Sequence, residues 1–177
     1  MTKLEVTEVC SPIGTLRAVV SANGLCDLDF DVRWQEKLRR LRARFGEPQL
    51  VERQDPRGVA TALRAYLDGA FDAVDDLEVD AAGTPFQERV WKELRRIPAG
   101  TTISYGELAV RVGRPNASRP VGAANGRNPV AIVVPCHRVI GADGTLTGYA
   151  GGIERKRWLL EHEQAIDDAS LFRSVGT

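Results

Sequence analysis

The stretch from Ser104 to Gly126 constrains the fold more than any other part of the chain. Ser104-Tyr105-Gly106-Glu107 has the form of a capping box, in which a hydroxyl and a side chain three residues on each satisfy an N–H at a helix start. Leu108, Ala109 and Val112 recur on one helical face, and Gly113 supplies a stop. Arg114-Pro115-Asn116-Ala117 reads as a turn. Ser118 then caps a second helix, with Arg119 at N1 and Pro120 at N2, where a missing N–H costs nothing. Two short helices about a tight turn make a helix-turn-helix candidate. The second helix, Val121-Gly122-Ala123-Ala124-Asn125-Gly126, has little side-chain bulk. That suits either tight packing in a core or close approach to a partner's backbone.

The remaining pattern predicts a mixed α/β (α+β) protein. Leu4 to Val9 alternates at period two, and Leu16 to Val20 follows the turn Ser11-Pro12-Ile13-Gly14. Asn23-Gly24 marks a hairpin turn into a strand whose Cys26, Leu28 and Phe30 share one face. Trp34, Leu38, Leu41 and Phe45 predict a helix ended by Gly46, and Ala62, Leu63, Tyr66 and Leu67 another ended near Gly69. A short strand is expected around Leu77-Glu78-Val79. Asp80-Ala81-Ala82-Gly83 reads as a linker, so the expected division is 1–82, a structural α/β domain, 83–165, and a tail over 166–177. Thr84-Pro85-Phe86-Gln87 opens a helix with Phe86, Val90, Leu94 and Ile97 on one face. Ile153 to Glu163 forms the last, with Trp158 and Leu159 expected inward.

The apolar run Val130-Ala131-Ile132-Val133-Val134 reads as a buried strand that breaks at Pro135. Cys136, His137 and Arg138 follow at once. A lone cysteine is commonly a small buried hydrophobe. A cysteine beside one of the chain's two histidines, in a proline-shaped turn, instead suggests a nucleophile with its base. Charge sharpens this. Residues 1–82 hold 11 basic and 15 acidic side chains, whereas 83–163 hold 12 and 7. Between 95 and 138 stand seven arginines, no lysine and one acid, Glu107. Such a cluster is either a solvated face or a surface for a polyanion, since guanidinium pairs with phosphate bidentately. A helix is about 10–12 Å across and the minor groove of B-DNA about 6 Å wide, so only a smooth helix enters it. Gly122, Ala123 and Ala124 give smoothness and Arg119 a probe; base-edge equipment is slight beyond Asn125, so little sequence specificity is expected. No metal-site or disulfide spacing links Cys10, Cys26 and Cys136, and no secretory signal or membrane span is read, so a cytoplasmic, metal-free monomer is expected.

These residues together resemble the O6-alkylguanine-DNA alkyltransferases. The match runs through Phe86-Gln87-Glu88-Arg89-Val90-Trp91, Ser104 to Ala109, Asn128-Pro129-Val130, Ile132 to Ile140, Gly148-Tyr149-Ala150-Gly151-Gly152 and Arg155 to Glu163. It is weak over 1–82 apart from Ser11 to Leu16. The resemblance implies a ribonuclease-H-like N-terminal domain and a mostly helical, winged-helix-like C-terminal domain. It implies irreversible transfer of an alkyl group from O6-alkylguanine, with O4-alkylthymine a second candidate, to Cys136 after the base is flipped from the duplex. Cys136, His137 and Glu163 would form a thiol–water–imidazole–carboxylate relay. Tyr105 would protonate the leaving guanine, and Asn128 would act as the hinge that ties the helix-turn-helix to the active-site segment. Arg119 would fill the vacated stack, within a DNA-binding set of Ser104, Ser118, Arg119, Gly122, Ala123, Ala124, Asn125 and Arg127. Val139, Tyr149, Ala150 and Gly151 would line the base pocket. Some members have serine where Ala150 stands. Some bind zinc in the N-terminal domain; residues 1–82 have no histidine and two cysteines, so neither a metal nor any cofactor is expected. Two other functions compete. A non-enzymatic lesion sensor of the alkyltransferase-like type is disfavoured by Cys136, and a thiol hydrolase gives the arginines no role.

Overall fold

The computed structural model describes residues 1–167, so the expected tail lies, from 168 onward, outside the described residues. The chain divides into two compact units, Met1–Ala82 and a second that begins at Gly83. Among the described residues no helix is long and apolar enough to cross a membrane.

In the first unit β1 (Lys3–Val9), β2 (Leu16–Ser21), β3 (Gly24–Phe30) and β4 (Gln49–Glu52) form one sheet in the order β3-β2-β1-β4. β1–β2 and β2–β3 are antiparallel; β4 returns after α1 (Trp34–Phe45) to pair in parallel with β1. The sequence does not announce β4. It is four residues long with only Val51 partly covered, and it forms because the open edge of β1 offers unpaired backbone groups. Ser21 pairs with Gly24, so the hairpin turn is Ala22-Asn23, one residue before the expected pair. Between Leu25 and Asp27 the register skips Cys26, which bulges and donates its thiol to the Val19 carbonyl at 3.2 Å. All of β3 but Asp29 is buried, in place of one inward face. Around Leu77 to Val79 there is one isolated bridge, Leu25 to Val79, rather than a strand. α2 (Val59–Leu67) buries Leu63 and Tyr66 fully.

The second unit is mostly helical: α3 (Pro85–Leu94), α4 (Tyr105–Arg111), α5 (Ser118–Gly126) and α6 (Ile153–His162), with a parallel pair of two-residue strands, β5 (Ile103–Ser104) and β6 (Val139–Ile140). Both capping boxes form. Thr84 accepts from the Gln87 N–H, Ser104 from that of Glu107, and each partner side chain reaches back. α5 starts one residue earlier than expected. Its N-cap is Ala117, which makes no side-chain cap; Ser118, Arg119 and Pro120 fill the first turn, where Pro120 still removes only an N–H without a helical partner. Val90, Leu94, Ile97, Leu108, Val121, Val130, Leu159 and Leu160 are each at most 1 % exposed and make up the interior.

The run 130–134 is buried, as its composition requires, but is not a strand. Its backbone doubles back, with Val133 N–H donating to Ala131 O (2.8 Å) and Val134 N–H to Val130 O (3.0 Å). Ile132 takes the left-handed conformation at φ 70°. An apolar run signals burial; it does not select the backbone conformation.

Candidate active site

Pro135 leads into a single 3₁₀ turn, Cys136–Arg138. Successive residues of such a turn point about 120° apart. Cys136 and His137 therefore diverge, and the imidazole turns toward the end of α6. There His137 Nε2 lies 2.9 Å from Glu163 Oε1, both side chains fully buried. Arg138 grips the same carboxylate at two points, Nε to Oε2 (2.9 Å) and Nη2 to Oε1 (2.8 Å), and its Nη1 donates to the Ile97 carbonyl (2.5 Å).

Burial pushes the Glu163 carboxyl upward, but the hydrogen bonds and charges of His137 and Arg138 outweigh it and hold the group below the ordinary carboxylate range. An ionised carboxylate only accepts, so the imidazole carries its proton on Nε2. Nδ1 is then the basic nitrogen. It is buried and meets no hydrogen-bonding group among the described residues. Burial lowers the imidazole's pKa more than Glu163 raises it, which keeps the ring neutral and able to accept a proton.

Cys136 is 8 % exposed, and its carbonyl accepts from Asn125 Nδ2 at 3.3 Å. Tyr105, first residue of α4, is half-buried and donates its hydroxyl to the Thr147 carbonyl at 3.0 Å. Burial raises its pKa, so the phenol keeps its proton. The Val139 carbonyl already accepts from Lys156 Nζ (2.6 Å), leaving it one further lone pair. Tyr149 is half-buried, Ala150 exposed and Gly151 buried. Arg119, Ala123 and Arg127 are exposed on α5 or its C-cap, and Ser104, Ser118 and Gly122 are half-buried. Ala124 and Asn125 correct the expected DNA-facing set. Each is 2 % exposed; Ala124 O accepts from Trp91 Nε1 (2.9 Å), so this side of α5 packs on α3 and on the cysteine turn.

Residues 85–165 match the family model described as 6-O-methylguanine DNA methyltransferase, DNA binding domain. The methylated-DNA–protein-cysteine methyltransferase of Salmonella typhimurium is 45 % identical over 172 residues, covering 92 % of this chain and 97 % of that one. The chain belongs to this methyltransferase family. Two solved structures agree over nearly the whole length. The Mycobacterium tuberculosis O6-methylguanine methyltransferase is 43 % identical with TM-score 0.75, covering 97 % of this chain and 99 % of that one. The same organism's protein in complex with DNA is 42 % identical with TM-score 0.72, covering 96 % and 99 %.

Two residues of this methyltransferase site escaped the sequence reading in their present roles. Nothing in the spacing of Arg138 announces that it clamps Glu163. Lys156 was assigned nothing, and it is fully buried. A signal for it existed: Lys156, Leu159, Leu160 and Glu163 follow i, i+3, i+4, i+7 and share the buried face of α6. Trp158 lies off that face, half-buried and stacked on His162 at 4.6 Å.

Asn128 acts through the backbone. Its Nδ2 donates to Val134 O (2.7 Å) and its Oδ1 accepts from Val130 N–H (3.0 Å), which pins both ends of the doubled-back run. Asn128→Ala leaves the Val130 N–H without its acceptor and takes one of two donors from Val134 O, which keeps the Cys136 N–H at 2.8 Å, so the orphaned group costs about 1–3 kcal/mol. We expect a lower urea midpoint with an unchanged m-value. An unchanged midpoint would mean that the run is held by its own main-chain bonds and its apolar packing.

Proposed function

We propose that the protein repairs DNA directly, by moving an alkyl group from O6-alkylguanine to its own Cys136 in one irreversible turnover. One observation carries this reading. A cysteine in a turn shaped by proline stands next to an imidazole whose Nε2 is fixed on Glu163 and whose Nδ1 is left as an acceptor.

In this reading a water bridges the Cys136 thiol and His137 Nδ1. The thiol proton passes through it to the imidazole, and Glu163 steadies the imidazolium. The sulfur attacks the alkyl carbon; the S–C bond forms as the bond from that carbon to O6 breaks. The departing electron pair goes to guanine, and Tyr105 hands its hydroxyl proton to the ring. A raised phenol pKa suits a group that must arrive protonated. Product departure leaves a thioether, which cannot return to thiol, so each molecule acts once.

The family name and the DNA-bound relative support duplex DNA as the partner. The exposed Arg119, Ala123 and Arg127 suit α5 to the minor groove, with Arg119 filling the gap left by the flipped base and little sequence preference. Val139, Tyr149, Ala150 and Gly151 line the base pocket. The same reading takes 1–82 as a ribonuclease-H-like structural domain and 83–165 as a winged-helix-like catalytic one, in a cytoplasmic monomer. Incubation with an O6-methylguanine oligonucleotide is expected to add one methyl mass, mapped to Cys136 by peptide mass spectrometry. A tight complex with no mass gain would instead identify a lesion sensor.

A further inference from the structure

Lys156 has no task in the reaction above, yet its side chain is fully buried. A buried ammonium is costly unless hydrogen-bonded and compensated in charge. Two of its three N–H groups are met, by Val139 O at 2.6 Å and Thr147 O at 2.9 Å. Both acceptors are neutral carbonyls, and no carboxylate among the described residues lies within ion-pair distance of it. The fold therefore keeps a cation here without a standing counterion. The acceptors lie at the site itself. Val139 follows the turn that carries Cys136, and the Thr147 carbonyl also takes the Tyr105 hydroxyl. Nζ sits 5.9 Å from the centre of the Tyr105 ring.

We propose that Lys156 is an electrostatic positioning residue: its ammonium fixes the Val139 and Thr147 carbonyls about the nucleophile and offsets the negative charge that forms on Cys136 as the thiol ionises. This rests on Cys136 being the acceptor of the alkyl group. Every ionisable neighbour bears on the idea. The cysteine turn presents Cys136, His137 and Arg138, α4 presents Tyr105, and α6 presents Glu163, which is already committed to His137 and Arg138. Only the thiolate and a Tyr105 phenolate remain as anions for Lys156. Burial draws the lysine's pKa down to about 8, and a Cys136 thiolate draws it back up. The attraction is reciprocal: a cation that gains from the thiolate stabilises it equally.

The test titrates the thiol in the full-length protein. Iodoacetamide labelling of Cys136, followed by peptide mass spectrometry, reports thiolate between about pH 6 and pH 10. In the wild type the midpoint is expected below the free-thiol value of about 8.5. Lys156→Met and Lys156→Gln should raise it by about one pH unit, which at neutral pH is about a tenfold loss of thiolate. Gln retains two N–H donors without charge, so it separates charge from hydrogen bonding. Lys156→Arg should restore the midpoint. Alkyl transfer should fall about tenfold at neutral pH in the Met and Gln proteins and recover as the pH rises. A wild-type midpoint at or above that of a free thiol overturns the proposal, whatever the variants do. So does a folded Gln variant whose midpoint stays put, since Lys156 is then only a strut. Wild-type protein that labels as expected but gains no methyl mass from the oligonucleotide sinks the repair function and leaves the charge effect standing.

Discussion

Cys136→Ala protein is expected to gain no alkyl mass from an O6-methylguanine oligonucleotide, while binding that oligonucleotide within about twofold of wild type. The loss should be complete because no other thiol has the right surroundings. Cys26 is buried in a β-bulge, bonded to the Val19 carbonyl, and burial pushes its pKa up to about 12. Cys10 is exposed at the end of β1, in a unit that contains no histidine. Binding should survive because the exposed residues of α5 owe nothing to the sulfur; what the turn gives α5 is the Cys136 carbonyl, which alanine retains. Intact mass and a gel-shift titration on one preparation would check both halves. An alkyl adduct elsewhere on the variant would remove Cys136 from the centre of the chemistry.

The second large effect is expected at Glu163, in stability and rate together. From sequence alone, Glu163→Gln should slow the reaction and spare the fold. The structure revises the second half. The carboxylate is the counterion of buried Arg138, and an amide leaves that guanidinium uncompensated. Removing one partner of a buried pair costs about 3–5 kcal/mol. For a unit of this size the melting temperature should fall by roughly 10 °C or more. The rate should drop about a hundredfold, because an amide neither fixes the Nε2–H tautomer of His137 nor steadies its positive charge. Differential scanning fluorimetry and single-turnover kinetics would measure the two. A wild-type melting temperature would show that Arg138 finds another partner; a wild-type rate would take Glu163 out of the relay.

Acid should expose the same carboxylate. His137 is held below its ordinary pKa of 6.5, so below that pH the unfolded chain takes up the proton first and stability falls. Glu163 is held below its ordinary 4.5, so its contribution is full above that value and drains away beneath it. Both act in one direction, so their contribution to stability should fall on acidification from about pH 6.5, offset in part below about pH 6 by Asp27, whose carboxyl burial raises to about 6. Glu163→Gln starts lower and should decline less steeply below about pH 4.5, having no carboxylate left to protonate.

Local chemistry made part of this readable in advance. A capping box is written in four consecutive residues, so Thr84–Gln87 and Ser104–Glu107 were plain. Helices with a strong apolar face, such as α3, were equally plain. What escaped depends on distant partners. β4 exists because β1 has a free edge, and the 130–134 run folds back because Asn128 bonds both of its ends. Ala124 and Asn125 looked available to a partner because small residues suit both an interface and a packed helix contact; only the position of α3 and of the cysteine turn decides between them. The relay was placed by resemblance. Its tautomer and its counterion come from the three bonds on Glu163, and no spacing in the sequence encodes those.

Ile132 carries a consequence for how the protein fails. A β-branched residue at φ 70° sits about 1–3 kcal/mol above a relaxed backbone, and burial of its side chain to 1 % exposure returns about as much. That bend is tolerated only while the hydrocarbon around it stays intact. The sulfur four residues later cannot then persist as a working loop on a softened body. Heat or denaturant that loosens the interior should disarm the thiol in the same cooperative step.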